Sequence, residues 1–249
     1  MLKVGLIGCG HIAETYFRSQ NYFNNIEIIS CADINTEASK KCSQEYNIEA
    51  KEVDDLLADR EIDIVLNLTT PQAHYEIIKK TLLAGKHSYC EKPLSTNYDH
   101  GSELLQLANN NNLYIGNAPD TFLGGGAQLA RQLIDQNEIG DVKLGVVNFA
   151  FPGVQSFHPD PESWFKKGGG PVIDMGPYYF TALVNLLGPV KCVRAKATKV
   201  YDYRTIETGP KKGDKFEVEI PTSIIGSIEF KNSAVIQFFL SFDVINHQR

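Results

Sequence analysis

The chain has 249 residues, 43% of them hydrophobic and 22% charged, with a net charge of −6. These values are ordinary for a soluble globular protein of one large or two modest domains, and the acidic balance excludes a basic surface for nucleic acid or an anionic membrane. No stretch approaches about 18 uninterrupted apolar residues, and an apolar strand begins at residue 2, so we expect neither a transmembrane helix nor a signal peptide. Five scattered cysteines predict reduced thiols in the cytoplasm, and no Cys/His set has the spacing of a metal site.

The opening segment predicts a buried strand, a glycine turn and a helix. Residues 2–7 are apolar, and Gly8, Gly10 and Ala13 follow in a G-x-G-x-x-A pattern. Gly8 permits a tight turn, Gly10 lets the backbone approach a pyrophosphate, and Ala13 lets the helix pack closely on the sheet. Asp33 lies 20 residues beyond Ala13, where a ribose-binding carboxylate is expected. A purely structural glycine turn is the alternative, but position and spacing favour a dinucleotide site.

Strand and helix patterns then alternate as far as residue 118. This alternation predicts a parallel, doubly wound sheet with right-handed crossovers. Further strands are predicted over 26–32, 62–68, 87–90 and 113–116, and the helix after the second strand should be capped by Asn35 or Thr36. Because the carboxyl ends of parallel strands meet at one edge, we expect the four loops that carry Gly8, Asp33, Thr69 and Glu91 to border one crevice.

After about residue 118 the pattern predicts a second, α+β domain. The expected domains are therefore residues 1–118 and 119–249. Helices are predicted from the glycines at 124–126 and over 174–187. Strands are predicted over 142–151, 190–200, 223–230 and 234–242, forming a largely antiparallel sheet whose last two strands make a hairpin.

Four motifs, in their order and spacing, resemble those of the Gfo/Idh/MocA oxidoreductases, the relatives of glucose–fructose oxidoreductase and inositol 2-dehydrogenase. The motifs are the GCGHIA loop, Asp33, the tripeptide Glu91-Lys92-Pro93 after a strand, and the glycine run 168–170 that leads to Asp174 and Tyr178. The resemblance covers essentially the whole chain. It implies an N-terminal Rossmann domain and a C-terminal domain with a large open sheet for substrate binding and oligomer formation. It also implies a nicotinamide-dependent dehydrogenase that acts on a sugar or cyclitol-like polyol.

The expected cofactor is NAD rather than NADP. Asp33 should accept hydrogen bonds from the ribose hydroxyls and repel a 2′-phosphate, and no arginine follows it to neutralise that phosphate. His74 could equally be an ordinary residue of a surface helix. The residues expected to bind the cofactor are Gly8, Gly10, His11, Ile12, Asp33, Thr69, Pro71, His74, Glu91 and Lys92.

Lys92, Asp174 and Tyr178 are the expected catalytic residues, converging beside the nicotinamide at the mouth between the domains. Lys92 can hold the substrate oxygen and stabilise its developing negative charge, and Tyr178 is the favoured proton acceptor. Asp174 and Tyr178 stand four residues apart, on one face of a helix, so Asp174 can fix a neighbouring hydroxyl. The alternatives are a surface Glu91–Lys92 pair, a helix cap at Asp174 and simple packing of Tyr178.

The segment before the glycine run carries His158 and the only tryptophan, Trp164. Trp164 could stack on the face of a sugar, but it could equally anchor its loop by hydrophobic contacts. We therefore expect a substrate loop here without assigning a contact to either side chain.

Two departures from the family pattern leave a second function open. Most relatives carry histidine where this chain has Tyr178, and most continue well beyond the length at which this chain stops, Arg249. We therefore expect the second domain to lack its final strands and strand 234–242 to lack an outer partner, or to take it from another molecule, which favours association. A non-catalytic dinucleotide sensor or scaffold of the same fold is the alternative to the dehydrogenase.

Overall fold

The computed structural model describes residues 1–245 of the chain. The chain forms two compact units, Met1–Ala118 and Pro119–Arg249. Over the described residues, no helix combines the length and the apolar character that crossing a bilayer requires.

The first unit is a parallel sheet of six strands with five helices between them in the chain. Its strands are β1 (Leu2–Ile7), β2 (Ile26–Ala32), β3 (Glu49–Ala50), β4 (Ile64–Asn67), β5 (His87–Cys90) and β6 (Ile115–Asn117). Its helices are α1 (Ala13–Ser19), α2 (Thr36–Tyr46), α3 (Val53–Ala58), α4 (His74–Leu83) and α5 (Tyr98–Asn110). The strands lie in the order β3-β2-β1-β4-β5-β6, and all neighbours are parallel. The predicted doubly wound sheet is confirmed.

Strand β1 is buried on both faces of this sheet, which explains its continuous apolar run. Leu6 packs with Ala13 and Phe17 in the core cluster that includes residues of α1 and α2. Ile7 belongs to the other cluster, with Leu56 of α3. This packing holds the carboxyl end of β1, and the turn that follows it, in the middle of the sheet.

The predicted binding loops follow four strands that are neighbours in this sheet. Gly8 comes directly after β1, Asp33 directly after β2, Thr69 two residues after β4, and Glu91 directly after β5. The strand order reverses between β1 and β4. A switch in strand order is where open α/β sheets form their ligand crevice.

As far as residue 245, the second unit contains a four-stranded mixed sheet, a two-stranded hairpin and three α-helices. Its helices are α6 (Gly125–Asp135), α7 (Pro171–Asp174) and α8 (Gly176–Leu187). Its strands are β7 (Leu144–Ala150), β8 (Val190–Thr198), β9 (Tyr203–Thr205), β10 (Lys215–Glu217), β11 (Ser223–Phe230) and β12 (Val235–Ser241). One face of the larger sheet packs against α8 through Ile228, Ile236, Phe238 and Leu240. Along β12, every second residue from Ile236 to Leu240 therefore faces this helix.

The prediction that the last strand lacks an outer partner is wrong. The order of the larger sheet is β7-β12-β11-β8, so β12 is an interior strand. It pairs antiparallel with β11 and parallel with β7. Strand β7, from much earlier in the chain, supplies the hydrogen bonds that the prediction assigned to missing or foreign strands. Its parallel pairing with β12 makes the sheet mixed, and the other two pairings are antiparallel as expected.

The prediction of one helix over 174–187 is also wrong. Asp174 ends α7, Met175 lies between the helices with φ −106° and ψ −26°, and Gly176 begins α8. Pro177 lies in the first turn of α8, where its missing N–H costs no hydrogen bond. Asp174 and Tyr178 therefore lie on two consecutive helices, and the single-helix argument for their shared face does not apply.

A buried ion pair that the sequence analysis did not anticipate ties β9 to the end of β12. Arg204 pairs with Asp243, and both side chains are almost fully buried. The Asp243 carboxylate also accepts a hydrogen bond from the Thr222 hydroxyl at 2.8 Å. Both charges are therefore partnered, as burial requires.

Candidate active site

The glycine turn after β1 has a conformation that only glycine adopts easily. Gly8 has φ +104°, and a Cβ there would lie 2.6 Å from the backbone carbon of Leu68. Its N–H donates to the carbonyl oxygen of Ala32 at 2.9 Å. Gly10, by contrast, has nothing within 4 Å of the position that a Cβ would take. The turn is thus tightly packed at Gly8 and open at Gly10, which suits the approach of a ligand to its backbone.

Asp33 is hydrogen-bonded to the same turn. Its Oδ2 accepts from the backbone N–H of Cys9 at 2.7 Å, and its Oδ1 accepts from the N–H of Asn35 at 2.8 Å. An ionised carboxylate has about four acceptor positions, so two bonds fix its orientation and leave capacity for ribose hydroxyls. Asn35 caps α2 by accepting from Glu37, as predicted.

His11 and Ile12 complete the turn and lead into α1. Both are exposed, while Ala13 is buried against the sheet. No side-chain hydrogen bond caps α1. The two exposed residues are therefore available on the outer side of the turn, and their predicted contact with a cofactor stays a prediction.

The loop after β4 is held by its own side chains. The Thr69 hydroxyl donates to Asn67 Oδ1 at 2.7 Å. His74 is fully buried, and its Nε2 and Nδ1 lie 2.9 Å from the carbonyl oxygen of Thr69 and 2.6 Å from that of Pro93. The imidazole thus joins the loop of Thr69 and Pro71 to the turn after β5. It is not an ordinary surface residue, and its contacts here are those of a positioning residue.

Glu91 organises the turn that carries Lys92. Its Oε1 accepts from the Tyr16 hydroxyl of α1 at 2.9 Å, and its Oε2 accepts from the N–H of Lys92 at 3.0 Å. Asn117 Nδ2 donates to the carbonyl oxygen of Glu91 at 3.0 Å, and the Lys92–Pro93 peptide bond is cis. The backbone of Lys92 is therefore held between α1 and the end of β6. The sequence offered no sign of Asn117, and Tyr16 looked like one more apolar residue of α1.

In the second unit, the glycine run ends at the helices that carry Asp174 and Tyr178. Gly170 has φ +94°, and a Cβ at Gly169 would lie 2.5 Å from the carbonyl oxygen of Trp164. The N–H of Asp174 donates to the carbonyl oxygen of Gly170 at 2.9 Å. Asp174 and Tyr178 are both half-buried. The glycines are needed because the chain passes close to the backbone of Trp164.

Trp164 packs inside its own unit. It lies against the core cluster of Phe165 and Phe242, and its ring centroid is 4.7 Å from that of His158. His158 Nδ1 in turn accepts from the N–H of Asp160 at 3.0 Å. These contacts favour the anchoring role of Trp164 over stacking on a sugar.

Three of the five cysteines lie together, although the sequence analysis treated them as scattered. The sulfur atoms of Cys9, Cys31 and Cys42 are all within 4.8 Å of one another. The interaction among the three thiols lowers the pKa of Cys31 and raises the pKa of Cys9 and of Cys42. Sequence spacing does not reveal this grouping, because three separate elements, the turn after β1, strand β2 and helix α2, bring the sulfur atoms together.

Two family models match consecutive stretches of the chain. One is described as the oxidoreductase family with an NAD-binding Rossmann fold and matches residues 2–117. The other is the GFO/IDH/MocA C-terminal domain and matches residues 127–249.

Individual curated relatives are similar to this chain at low sequence identity. An uncharacterised oxidoreductase of Schizosaccharomyces pombe is 30% identical over 177 residues, 68% of this chain and 48% of that protein. Inositol 2-dehydrogenase of Rhizobium meliloti is 23% identical over 187 residues, 75% of this chain and 55% of that protein. The chain thus spans about half the length of these curated relatives.

Solved structures share the fold. The WlbA dehydrogenase from Bordetella pertussis, in complex with NADH and UDP-GlcNAcA, has a TM-score of 0.83 at 19% identity, covering 98% of this chain and 67% of that one. Since models of one family match residues 2–117 and 127–249, the chain belongs to the Gfo/Idh/MocA oxidoreductase family.

Proposed function

We propose that this chain is an NAD-dependent dehydrogenase that acts on a CH–OH group of a sugar or cyclitol-like polyol. The observation that carries the proposal is the turn at Gly8 and Gly10, with Asp33 hydrogen-bonded to its backbone. The family model describes an NAD-binding fold. Relatives include an inositol 2-dehydrogenase and a dehydrogenase solved with NADH and a nucleotide sugar.

The residues of the first unit fit a dinucleotide. In this proposal the backbone from Gly8 to Ile12, including His11, binds the pyrophosphate, and Asp33 binds the adenosine ribose. Thr69 and Pro71 line the side of the nicotinamide ribose, and His74 and Glu91 hold their loops in place. When bound, the nicotinamide accepts or donates the hydride.

In this proposal, three side chains bind the substrate hydroxyls or accept a proton from them. Tyr178 takes the proton of the reacting hydroxyl, and Lys92 donates a hydrogen bond to the same oxygen and stabilises its developing negative charge. Asp174 accepts a hydrogen bond from a neighbouring hydroxyl and so selects the carbon that reacts. Glu91 acts through Lys92, because its carboxylate accepts the Lys92 backbone N–H.

A thermal-shift screen tests the proposed ligands together. A ligand that binds only the folded state stabilises it by an amount that grows with the logarithm of its concentration. We expect NAD to raise the melting temperature and a polyol to raise it further when NAD is present. If no nicotinamide dinucleotide raises the melting temperature at millimolar concentration, the proposal is wrong.

Replacing Asp33 by alanine should reduce the preference for NAD. In the wild type, repulsion between the Asp33 carboxylate and a 2′-phosphate disfavours NADP, since like charges brought together cost several kcal/mol. We expect wild type to bind NAD at least about tenfold more tightly than NADP and Asp33→Ala to lose most of this ratio. Asp33→Asn should do the same while keeping an oxygen for the N–H of Cys9. Isothermal titration calorimetry with both dinucleotides measures the two affinities.

The matched control for this change is Glu37→Gln, which removes a nearby exposed carboxylate of α2. Its ratio of NAD to NADP affinity should equal that of the wild type. Equal affinity of the wild type for both dinucleotides, or an unchanged ratio in Asp33→Ala, contradicts the assignment.

We also propose that copies of the chain associate through the outer face of the four-stranded sheet. On this face Leu144, Val146 and Ile225 are 79%, 63% and 49% exposed, and the register places Val146 beside Gln237 of β12. An exposed apolar sheet face of this kind is typical of an association surface.

Val146→Glu should therefore lower the molar mass measured by light scattering to that of a single chain, because the association would bury the new carboxylate. Ile139→Glu is the control, since Ile139 is 67% exposed but lies outside the sheet. A monomeric wild type at high concentration, or a Val146→Glu variant with unchanged mass, rules out this surface.

A further inference from the structure

Cys9, Cys31 and Cys42 form a compact group of thiols directly beneath the glycine turn. Cys9 stands between Gly8 and Gly10 and is half-buried, while Cys31 and Cys42 are buried. All three sulfur atoms lie within 4.8 Å of one another.

The fold itself brings the three residues together. Parallel pairing sets Ile7 beside Ala32, so the turn after β1 lies next to the end of β2, which carries Cys31. Cys42 is on the buried side of α2 and belongs to the same core cluster as Cys31. Strand pairing and the packing of α2 on the sheet therefore hold the three residues together.

The separation of the sulfurs suits a metal ion bound by three cysteines. Metal–sulfur bonds of about 2.3 Å at the roughly 120° angles of a three-coordinate site place sulfur atoms about 4.0 Å apart. The observed upper limit of 4.8 Å requires a movement of only about 1 Å at the outermost sulfur, well within the reach of a change in a cysteine side-chain torsion. Cys9, as the partly exposed member, offers a path for entry of an ion.

The thiols of two of these cysteines donate to backbone carbonyls. The Cys31 S–H donates to the carbonyl oxygen of Ser39 at 3.5 Å, and the Cys9 S–H donates to that of Ala32 at 3.7 Å. Metals bind cysteine as the thiolate, so uptake of an ion would replace these weak hydrogen bonds by metal–sulfur bonds and release the protons.

We propose that these cysteines form a three-sulfur site for a thiophilic ion, copper(I). Soft thiolate ligands favour copper(I) and zinc, but structural zinc sites use four protein ligands. No fourth ligand atom from His, Cys, Asp or Glu joins the group within residues 1–245. A three-coordinate, all-sulfur set is what copper(I) accepts. On binding, three copper–sulfur bonds form and the thiol protons pass to solvent.

The test is a competition for copper(I) between this 249-residue chain and a coloured copper(I) chelator, under anaerobic reducing conditions without any dinucleotide. The wild type should take up one equivalent. Cys42→Ala and Cys9→Ala should each weaken binding at least about tenfold, the scale of losing one ligand interaction. Cys90→Ala and Cys192→Ser, which change the other two cysteines, should bind as the wild type does.

X-ray absorption of the copper-loaded protein should show three sulfur ligands. Circular dichroism and the melting temperature check that the variants are folded, and Cys9→Ala keeps the test decisive if the more buried Cys42→Ala does not fold. Equal competition by wild type and Cys9→Ala overturns the proposal. So does uptake that depends on Cys90 or Cys192, or a group that forms a disulfide on purification and binds no copper after reduction. None of these outcomes depends on dehydrogenase activity.

Discussion

Replacing Lys92 by alanine is expected to lower turnover by about a hundredfold or more while leaving NAD affinity within about twofold of the wild type. The ammonium group is proposed to stabilise negative charge that develops on the substrate oxygen only as hydride leaves, so its loss affects the reaction more than binding. The proposed dinucleotide contacts lie at Gly8, Gly10 and Asp33. Steady-state kinetics with NAD and a reactive polyol, together with calorimetric titration of NAD, measure both effects.

The matched control is Lys80→Ala, which removes an exposed lysine paired with Asp54 on the same unit. It should leave both turnover and NAD affinity unchanged. If Lys92→Ala keeps wild-type turnover, the assigned role of Lys92 is wrong. If it loses NAD binding as well, Lys92 acts mainly on the cofactor.

Tyr178→Phe tests the second role in this mechanism, the transfer of the substrate's hydroxyl proton to Tyr178. It removes only the hydroxyl and keeps the aromatic ring, and we expect a loss of turnover of about a hundredfold or more. Full activity of this variant would mean that the proton goes elsewhere, with Lys92 as the next candidate. A strong loss in both single variants, with a double variant little worse than either, would show that the two residues act on the same oxygen.

Gly8→Ala should impair folding, whereas Gly10→Ala should leave folding intact and weaken the binding of NAD. At Gly8 a Cβ meets the backbone of Leu68 and Thr69 at 2.6 to 2.8 Å, and φ is +104°. We therefore expect Gly8→Ala to lower the free energy of unfolding by about 3 kcal/mol or to prevent folding. At Gly10 the space is open, so Gly10→Ala should change stability by no more than about 0.5 kcal/mol.

The affinity for NAD, rather than the stability, should reveal the role of Gly10. A methyl group there stands where the backbone is proposed to approach the pyrophosphate, and we expect NAD affinity to fall at least about tenfold. Urea denaturation gives the stability of each variant, and calorimetry gives its affinity. A Gly10→Ala variant that binds NAD as the wild type does would place the pyrophosphate elsewhere.

The fold of the first unit could be predicted because the signals for its strands, turns and helices lie in short stretches of the sequence. Apolar runs such as that of β1 report burial on both faces, Asn35 marks the start of α2, and Gly8 marks a turn that other residues cannot adopt. The doubly wound order follows from alternating strands and helices under the right-handed crossover rule.

The second unit was predicted less well because its decisive contacts are remote in sequence. The pattern of β12 shows which face is buried but cannot tell that β7 is its neighbour. The Gly176-Pro177 pair indicates a boundary between two helices. The periodicity of the apolar residues instead favours the single helix predicted over 174–187. The short strands β9 and β10, with three residues each, carry too little pattern to be recognised.

Within the candidate site, residue types could be predicted but contacts could not. Glu91 and His74 are expected near the cofactor, and the structure adds the hydrogen bonds by which they hold the turn of Lys92 and the loop of Thr69. The thiols of Cys9 and Cys42 come close together only because the sheet and α2 pack against each other. Their spacing in the sequence does not predict this contact.

The most direct test of the proposed dehydrogenase is the reduction of NAD by the full chain in the presence of a panel of sugars and cyclitols, followed by the absorbance of the reduced nicotinamide. The proposal predicts that at least one member of the panel, with inositols tested first, gives a steady rise that the Lys92→Ala variant lacks. Saturable binding of NAD with no reduction by any member would contradict the dehydrogenase and favour a dinucleotide sensor of the same fold.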